Sequence, residues 1–101
     1  MKVLRMGRLS ESVPPEWAGV DDEGNPVYML FCKGWVFIRR GDKRGGIDSA
    51  MNGEVICSKQ VDCGSDPDYD DIRRLCRNEV DFPETPESCR ILQLPLMPLL
   101  H

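Results

Sequence analysis

The sequence predicts an α+β fold: a small antiparallel sheet of four to five strands with one helix, at about 67–78, packed on one face. Three observations carry this. Between Val27 and Ile38, ten of twelve residues are apolar or aromatic, broken only by Lys33-Gly34. That is the composition of a core hairpin, at about 27–40, whose two strands are buried on both faces. Tyr69, Ile72, Leu75 and Cys76 recur at helical spacing and form one apolar stripe. Elsewhere, prolines and glycines punctuate the chain into short pieces. At 101 residues the chain is expected to form a single domain, 1–101.

Taken in order, Lys2 to Arg8 predicts a short first strand with Val3 and Met6 turned toward the core. Pro14 and Pro15 remove amide donors and fix an extended or turning path through the segment ending at Trp17, and Trp17 is expected to fold back over a core edge. Asp21 to Pro26 is a turn by composition. With Lys33-Gly34 as a two-residue loop, Cys32 faces Trp35, Leu30 faces Phe37 and Tyr28 faces Arg39 on one side of the hairpin. Phe31 with Val36, Met29 with Ile38 and Val27 with Arg40 make the other side. Tyr28 is placed to receive Arg39 as a cation–π partner. Residues 41 to 53 are polar and glycine-rich, with Ile47, Ala50 and Met51 as apolar anchors, and predict a loop. Glu54 to Val61 predicts a further strand. The helix then opens at Asp66 or Ser65 as cap, with Pro67 at its first position. Asp68, Asp70 and Asp71 suit its positive end, and Arg73, Arg74 and Arg77 its negative end. Residues 91–101 are apolar but carry Pro95 and Pro98, which suits an edge strand or an interaction tail.

Charge is unevenly spread. The net of −4 divides into +1 for residues 1 to 61 and −5 for residues 62 to 101, whose nine acidic groups all fall between Asp62 and Glu87. An acidic segment of this kind disfavours direct nucleic-acid binding and favours a basic partner. No stretch approaches a membrane span, and no apolar run of signal-peptide length follows the basic amino terminus. The expected compartment is therefore the cytoplasm.

The motifs exclude more than they assign. A cysteine or serine nucleophile needs a histidine base, and the one histidine is His101. No spacing selects a carboxylate pair, so no catalytic residue and no cofactor is expected. Asp66 to Asp70 imitates the start of a calcium loop, but Asp71 and Arg77 stand where glycine and glutamate are required. Arg40-Gly41-Asp42 matches an adhesion tripeptide without a context for it. The five cysteines lack the close pairs of a zinc site. The alternative reading gathers Cys57, Cys63, Cys76 and Cys89 into a zinc or thiol module.

What remains is a small acidic, non-catalytic regulator or inhibitor that docks on a larger cytosolic protein or complex. Small inhibitors encoded by phages or mobile elements work in this way, a comparison of functional class and not of sequence. Two contact surfaces are predicted. An acidic face of Asp66, Asp68, Asp70, Asp71, Asp81 and Glu84 would imitate nucleic acid and occlude a basic, nucleic-acid-handling surface. A basic loop of Arg39, Arg40, Lys43 and Arg44 would grip an anionic one. A further alternative is a small structural subunit, homo-oligomeric through 91–100. Both faces of the hairpin need cover, and one helix closes only one. The second must be closed by the segment with Trp17, by the apolar tail, or by another protein.

Overall fold

The hairpin forms in the expected register, and the sheet grows outward from it. A computed structural model describes residues 1–9, 15–61, 68–84 and 86. Strands β3 (Pro26–Cys32) and β4 (Trp35–Arg40) pair antiparallel, with Cys32 opposite Trp35, Leu30 opposite Phe37 and Val27 opposite Arg40. Lys33 and Gly34 join them with φ of 52° and 81°. Positive φ at both central residues defines the turn whose twist matches that of paired strands. Lysine adopts that conformation less readily than asparagine, so Gly34 carries the turn.

Around this pair, β1 (Val3–Arg8), β2 (Glu16–Asp21) and β5 (Glu54–Gln60) complete a five-stranded antiparallel meander in the order β1-β2-β3-β4-β5. Helix α1 (Gly46–Met51) connects β4 to β5, and α2 (Tyr69–Leu75) follows β5. The α+β class and the small sheet with a helix on one face are thus observed, with three differences. Trp17, expected to fold back over a core edge, sits within strand β2. Its centre is Ala18-Gly19, too small to display strand alternation, yet Gly19 is placed by necessity: a Cβ there would lie 2.0 Å from the Arg5 carbonyl oxygen. Residues 46–51, expected to be loop, are helical. Ile47 and Ala50 use an i, i+3 spacing over less than two turns, while the Ser49 hydroxyl donates to the Gly46 carbonyl at 2.7 Å and accepts from the Asp42 N–H at 2.9 Å. Finally, α2 is shorter than 67–78, and its cap is Asp68 rather than Asp66 or Ser65. Asp66 and residues 91–101 lie outside the described residues.

The two faces of the sheet have different fates. Met6, Trp17, Met29, Phe31, Val36 and Ile38 share one face and pack against Tyr69, Ile72 and Cys76 of α2, with Val80 and Phe82 extending the cover. Trp17 therefore serves the face that α2 already closes, and Arg8 lies over its ring at 5.1 Å. The Tyr69 and Phe82 rings meet edge to face at 6.1 Å, and the Tyr69 hydroxyl donates to the Pro83 carbonyl at 2.7 Å. Beyond α2 the chain runs beside β1: Val3 N–H donates to the Asp81 carbonyl, and Asp81 N–H to that of Met1, both at 2.8 Å. On the opposite face α1 covers one end, where Ala18 is buried with Leu9 and Ile47 against it. No described helix is long and apolar enough to cross a membrane.

Two glycine substitutions should separate close approach from turn conformation. Gly19→Ala drives a methyl into the β1 backbone and should cost about 3 kcal/mol. Gly34→Ala meets nothing within 4 Å but must hold φ near +81°, which costs about 1 kcal/mol. Urea denaturation of the two variants checks the order.

Candidate functional site

Alternation along β3 and β4 puts Tyr28, Leu30 and Cys32 beside Phe37 and Arg39 on the face away from α2. Helix α1 reaches only part of this face, and between it and the strands lies a groove of about 530 Å³. Tyr28, Leu30, Cys32 and Phe37 form its floor. Arg39, Asp48, Met51 and Asn52 supply its wall and rim. Trp35 extends the floor toward the turn, stacked on Phe37 with centroids 6.3 Å apart and planes 20° apart. Val55, opposite Arg39 in β5, extends it toward the sheet edge. Four large apolar side chains are exposed among the described residues, and Trp35, Met51 and Val55 are three of them.

Polar groups around the groove are held by the fold. Arg39 Nη1 donates to the Gly53 carbonyl at 3.0 Å, which fixes its guanidinium against the wall. The Tyr28 hydroxyl donates to Glu16 Oε1 on β2. Burial, with the carboxylate as acceptor, pushes the Tyr28 phenol well above its ordinary value and keeps it protonated. The carboxylate of Asp48 faces the groove exposed, and no described side chain pairs with it.

The predicted contact surfaces are arranged otherwise than expected. Arg39 and Arg40 belong to β4, not to a loop, and alternation sends them to opposite faces. Arg39 lines the groove, and Arg40 bonds Glu54 at 3.1 Å. Only Lys43 and Arg44 sit exposed in the loop before α1. Within the acidic set, Asp68 and Asp71 form a reciprocal cap. Asp68 Oδ1 accepts from Asp71 N–H at 2.8 Å, and Asp71 Oδ2 from Asp68 N–H at 3.2 Å. Asp70 and Asp71 also meet Arg73 and Arg74, each at 3.5 Å. Asp81 and Glu84 are exposed beyond the helix. The helix thus answers much of its own acidity within one turn. The groove itself was only half visible in the sequence. Two apolar hairpin faces and one helix imply an open face, but nothing local shows that α1 turns that face into a concavity.

Of the four cysteines grouped by sequence, Cys63 and Cys89 lie outside the described residues. Cys57 of β5 and Cys76 at the end of α2 come together in the core beneath the helix. Both belong to the same buried cluster. Cys57 Sγ donates onward to Glu79 Oε2 at 3.9 Å, and Lys59 Nζ meets the other oxygen of Glu79 at 2.9 Å. No group of three or more histidine, cysteine or acidic residues suited to hold a metal occurs among the described residues.

The thiol pair should mark itself in the alkaline stability profile. Burial, with the neighbouring Cys57 sulfur, pushes the Cys76 thiol up to about 12 from an ordinary value of 9.0, and burial raises Cys57 as well. The folded state therefore favours the neutral thiols. Their contribution is complete below about pH 9 and is lost as pH climbs from there through about 12. Urea titrations at rising pH should show stability falling in this window. Cys76→Ala should lessen the slope but not abolish it, because the buried phenols of Tyr28 and Tyr69 are raised in the same direction.

No protein-family model, curated protein or solved structure matches this chain, so the geometry of the groove stands on its own.

Proposed function

We propose that the protein is a small, non-catalytic regulator or inhibitor that docks on a larger protein through the open face of its sheet. One observation carries this reading: Trp35, Met51 and Val55, exposed and apolar, flank a single groove with an apolar floor. Small monomeric proteins seldom display contiguous apolar surface without a use for it. The pattern of an aromatic and aliphatic centre within a polar rim is that of a protein interface. Tryptophan and arginine, both present here, are the residues that most often carry interface energy.

Charge narrows the partner. The rim offers the carboxylate of Asp48, unpaired among the described residues, with Glu16 nearby, and the chain carries a net charge of −4. The fitting partner inserts an apolar side chain over Leu30 and Phe37 and brings a basic group to Asp48. Such a partner has the basic surface expected from composition. The contact lies on the sheet, however, and not on the aspartates of α2, whose charge Arg73 and Arg74 largely answer.

A photo-cross-linking amino acid placed at position 35, and separately at position 70, tests this in the native cell. Position 35 should yield one dominant adduct with a protein partner. In binding assays with that partner, Trp35→Ala should weaken affinity by about 30-fold, roughly 2 kcal/mol. Reversing Asp68, Asp70 and Asp71 to lysine should change it by no more than about threefold. Adducts from position 70 alone, or a partner lost only on charge reversal, would sink the groove reading in favour of charge mimicry. An adduct between two copies of the chain would replace it with a homodimer.

A further inference from the structure

We infer that a cavity beside α2 is a binding site for a single phosphoryl group, held by the guanidiniums of Arg73, Arg74 and Arg77. The cavity encloses about 220 Å³, and Val80, Asp81 and Phe82 complete its lining. Three features carry this. The lining gathers three positive charges against one carboxylate, and a cleft lined by one sign of charge draws in the other. Next, the arginines are incompletely answered within the chain. Arg77 is exposed and has no partner among the described residues. Arg73 meets Asp70, and Arg74 meets Asp71, only at 3.5 Å. Arg73 Nε is buried with no hydrogen-bond partner among the described residues, and an unsatisfied buried donor is costly. An anion in the cavity gives that guanidinium an acceptor to turn toward. The helix dipole accounts for Arg73 and Arg74 in the last turn, but Arg77 lies beyond the C-cap Cys76. Finally, the floor is already built. Val80 N–H donates to the Cys76 carbonyl at 2.8 Å, the Asp81 backbone is bonded to Met1 and Val3, and the Phe82 ring packs on Tyr69. Little of the site has to be ordered when a ligand arrives.

Charge and shape select the ligand. Arginine forks donate to carboxylate and phosphate alike. A carboxylate offers two oxygens, whereas a phosphoryl group offers three terminal oxygens, one for each guanidinium. Three arginines less one aspartate leave a lining charge of +2, and a phosphomonoester near neutral pH carries about −1.5 to −2. The cavity is smaller than the roughly 300–1,000 Å³ that encloses a whole drug-sized ligand, so the phosphoryl group enters and any organic remainder stays outside. Asp70, Asp71 and Glu84 stand on the same stretch of chain. A nucleic-acid strand would bring further phosphates against these carboxylates, so one isolated phosphoryl group fits and a polyanion does not. Free phosphate and a small phosphorylated molecule share this chemistry. The site lies apart from the groove, which occupies the face away from α2, and is independent of the function proposed for it.

The test is a titration of the full chain with inorganic phosphate at about pH 8, where phosphate is a dianion, followed by two-dimensional amide NMR. Sodium chloride holds the ionic strength constant. Saturable shifts should be confined to residues 73–82, with an apparent Kd on the order of 1 mM. Arg77→Gln should weaken binding roughly tenfold, whereas Arg44→Gln, in the exposed loop before α1, should leave it unchanged. Both side chains are exposed, so both variants should fold. Repeating the titration with phosphoserine separates the sources. Tighter binding than inorganic phosphate assigns the site to an esterified phosphoryl group, and weaker binding assigns it to the free ion; either supports the proposal. Shifts that stay linear in phosphate, acetate bound as tightly as phosphate, or an equal loss in Arg44→Gln would each overturn it. So would a short single-stranded oligonucleotide that displaces phosphate at the same ionic strength.

Discussion

Everything in this fold depends on the register of β3 against β4. The Lys33-Gly34 turn, with positive φ at both residues, sets Cys32 opposite Trp35. From there alternation assigns every side chain of the hairpin to a face. A slip of one residue would send Met29, Phe31, Val36 and Ile38 to the groove side and bring Tyr28, Leu30, Phe37 and Arg39 under α2. A guanidinium would then be turned into the apolar core, at a desolvation cost. The turn is short and its lysine is not ideal, so register is secured mainly by this asymmetry between faces. Strand β2 reinforces it by placing Trp17 beside Met29 and Ala18 beside Tyr28. Ala18 is small enough to let α1 approach on the second face.

That asymmetry explains why two short helices suffice. Helix α2 brings Tyr69, Ile72 and Cys76 to one face, and the chain after it supplies Val80 and Phe82. The same segment hydrogen-bonds along β1 and anchors the amino terminus, with the Met1 ammonium donating to the Glu79 carbonyl at 3.1 Å. One edge of the sheet and one face are thereby closed by a single stretch of about fifteen residues, an economy that suits so small a domain. Helix α1 has only Ile47 and Ala50 to contribute, so it packs on part of β3 and β4 and stops. The groove is what remains beside it. Its existence follows from the shortness of α1 rather than from any special wall.

Much of this was legible in the sequence. The hairpin register, the turn and the apolar stripe of α2 are local patterns, and they appear in the structure with the pairings they imply. Two elements were hidden for different reasons. Strand β2 carries its signal in its neighbours: Ala18 and Gly19 are chosen for what they leave room for, and a strand without bulk shows no alternation. Helix α1 spans too few residues for periodicity to rise above a glycine-rich background. The Cys57–Glu79 contact could not be read at all, and the groove only in part. Each joins residues from separate elements, and only the packing of α2 on β5, or of α1 on β3, brings them together.

The placement of charge shows the same limit more sharply. Summed along the chain, residues 62 to 101 look like an acidic patch awaiting a basic partner. Along α2, however, three aspartates precede three arginines at helical spacing, so Asp70 and Asp71 find Arg73 and Arg74 on their own surface. Each such exposed pair is worth little to stability, but it lowers the field the helix projects outward. The groove lacks that internal answer. Asp48 has no side-chain partner among the described residues, and Trp35, Met51 and Val55 remain exposed beside it. Unanswered groups are where a second molecule gains most by binding, because the protein has not already satisfied them. Net charge therefore points to the kind of partner, whereas the distribution of unanswered groups points to where that partner sits.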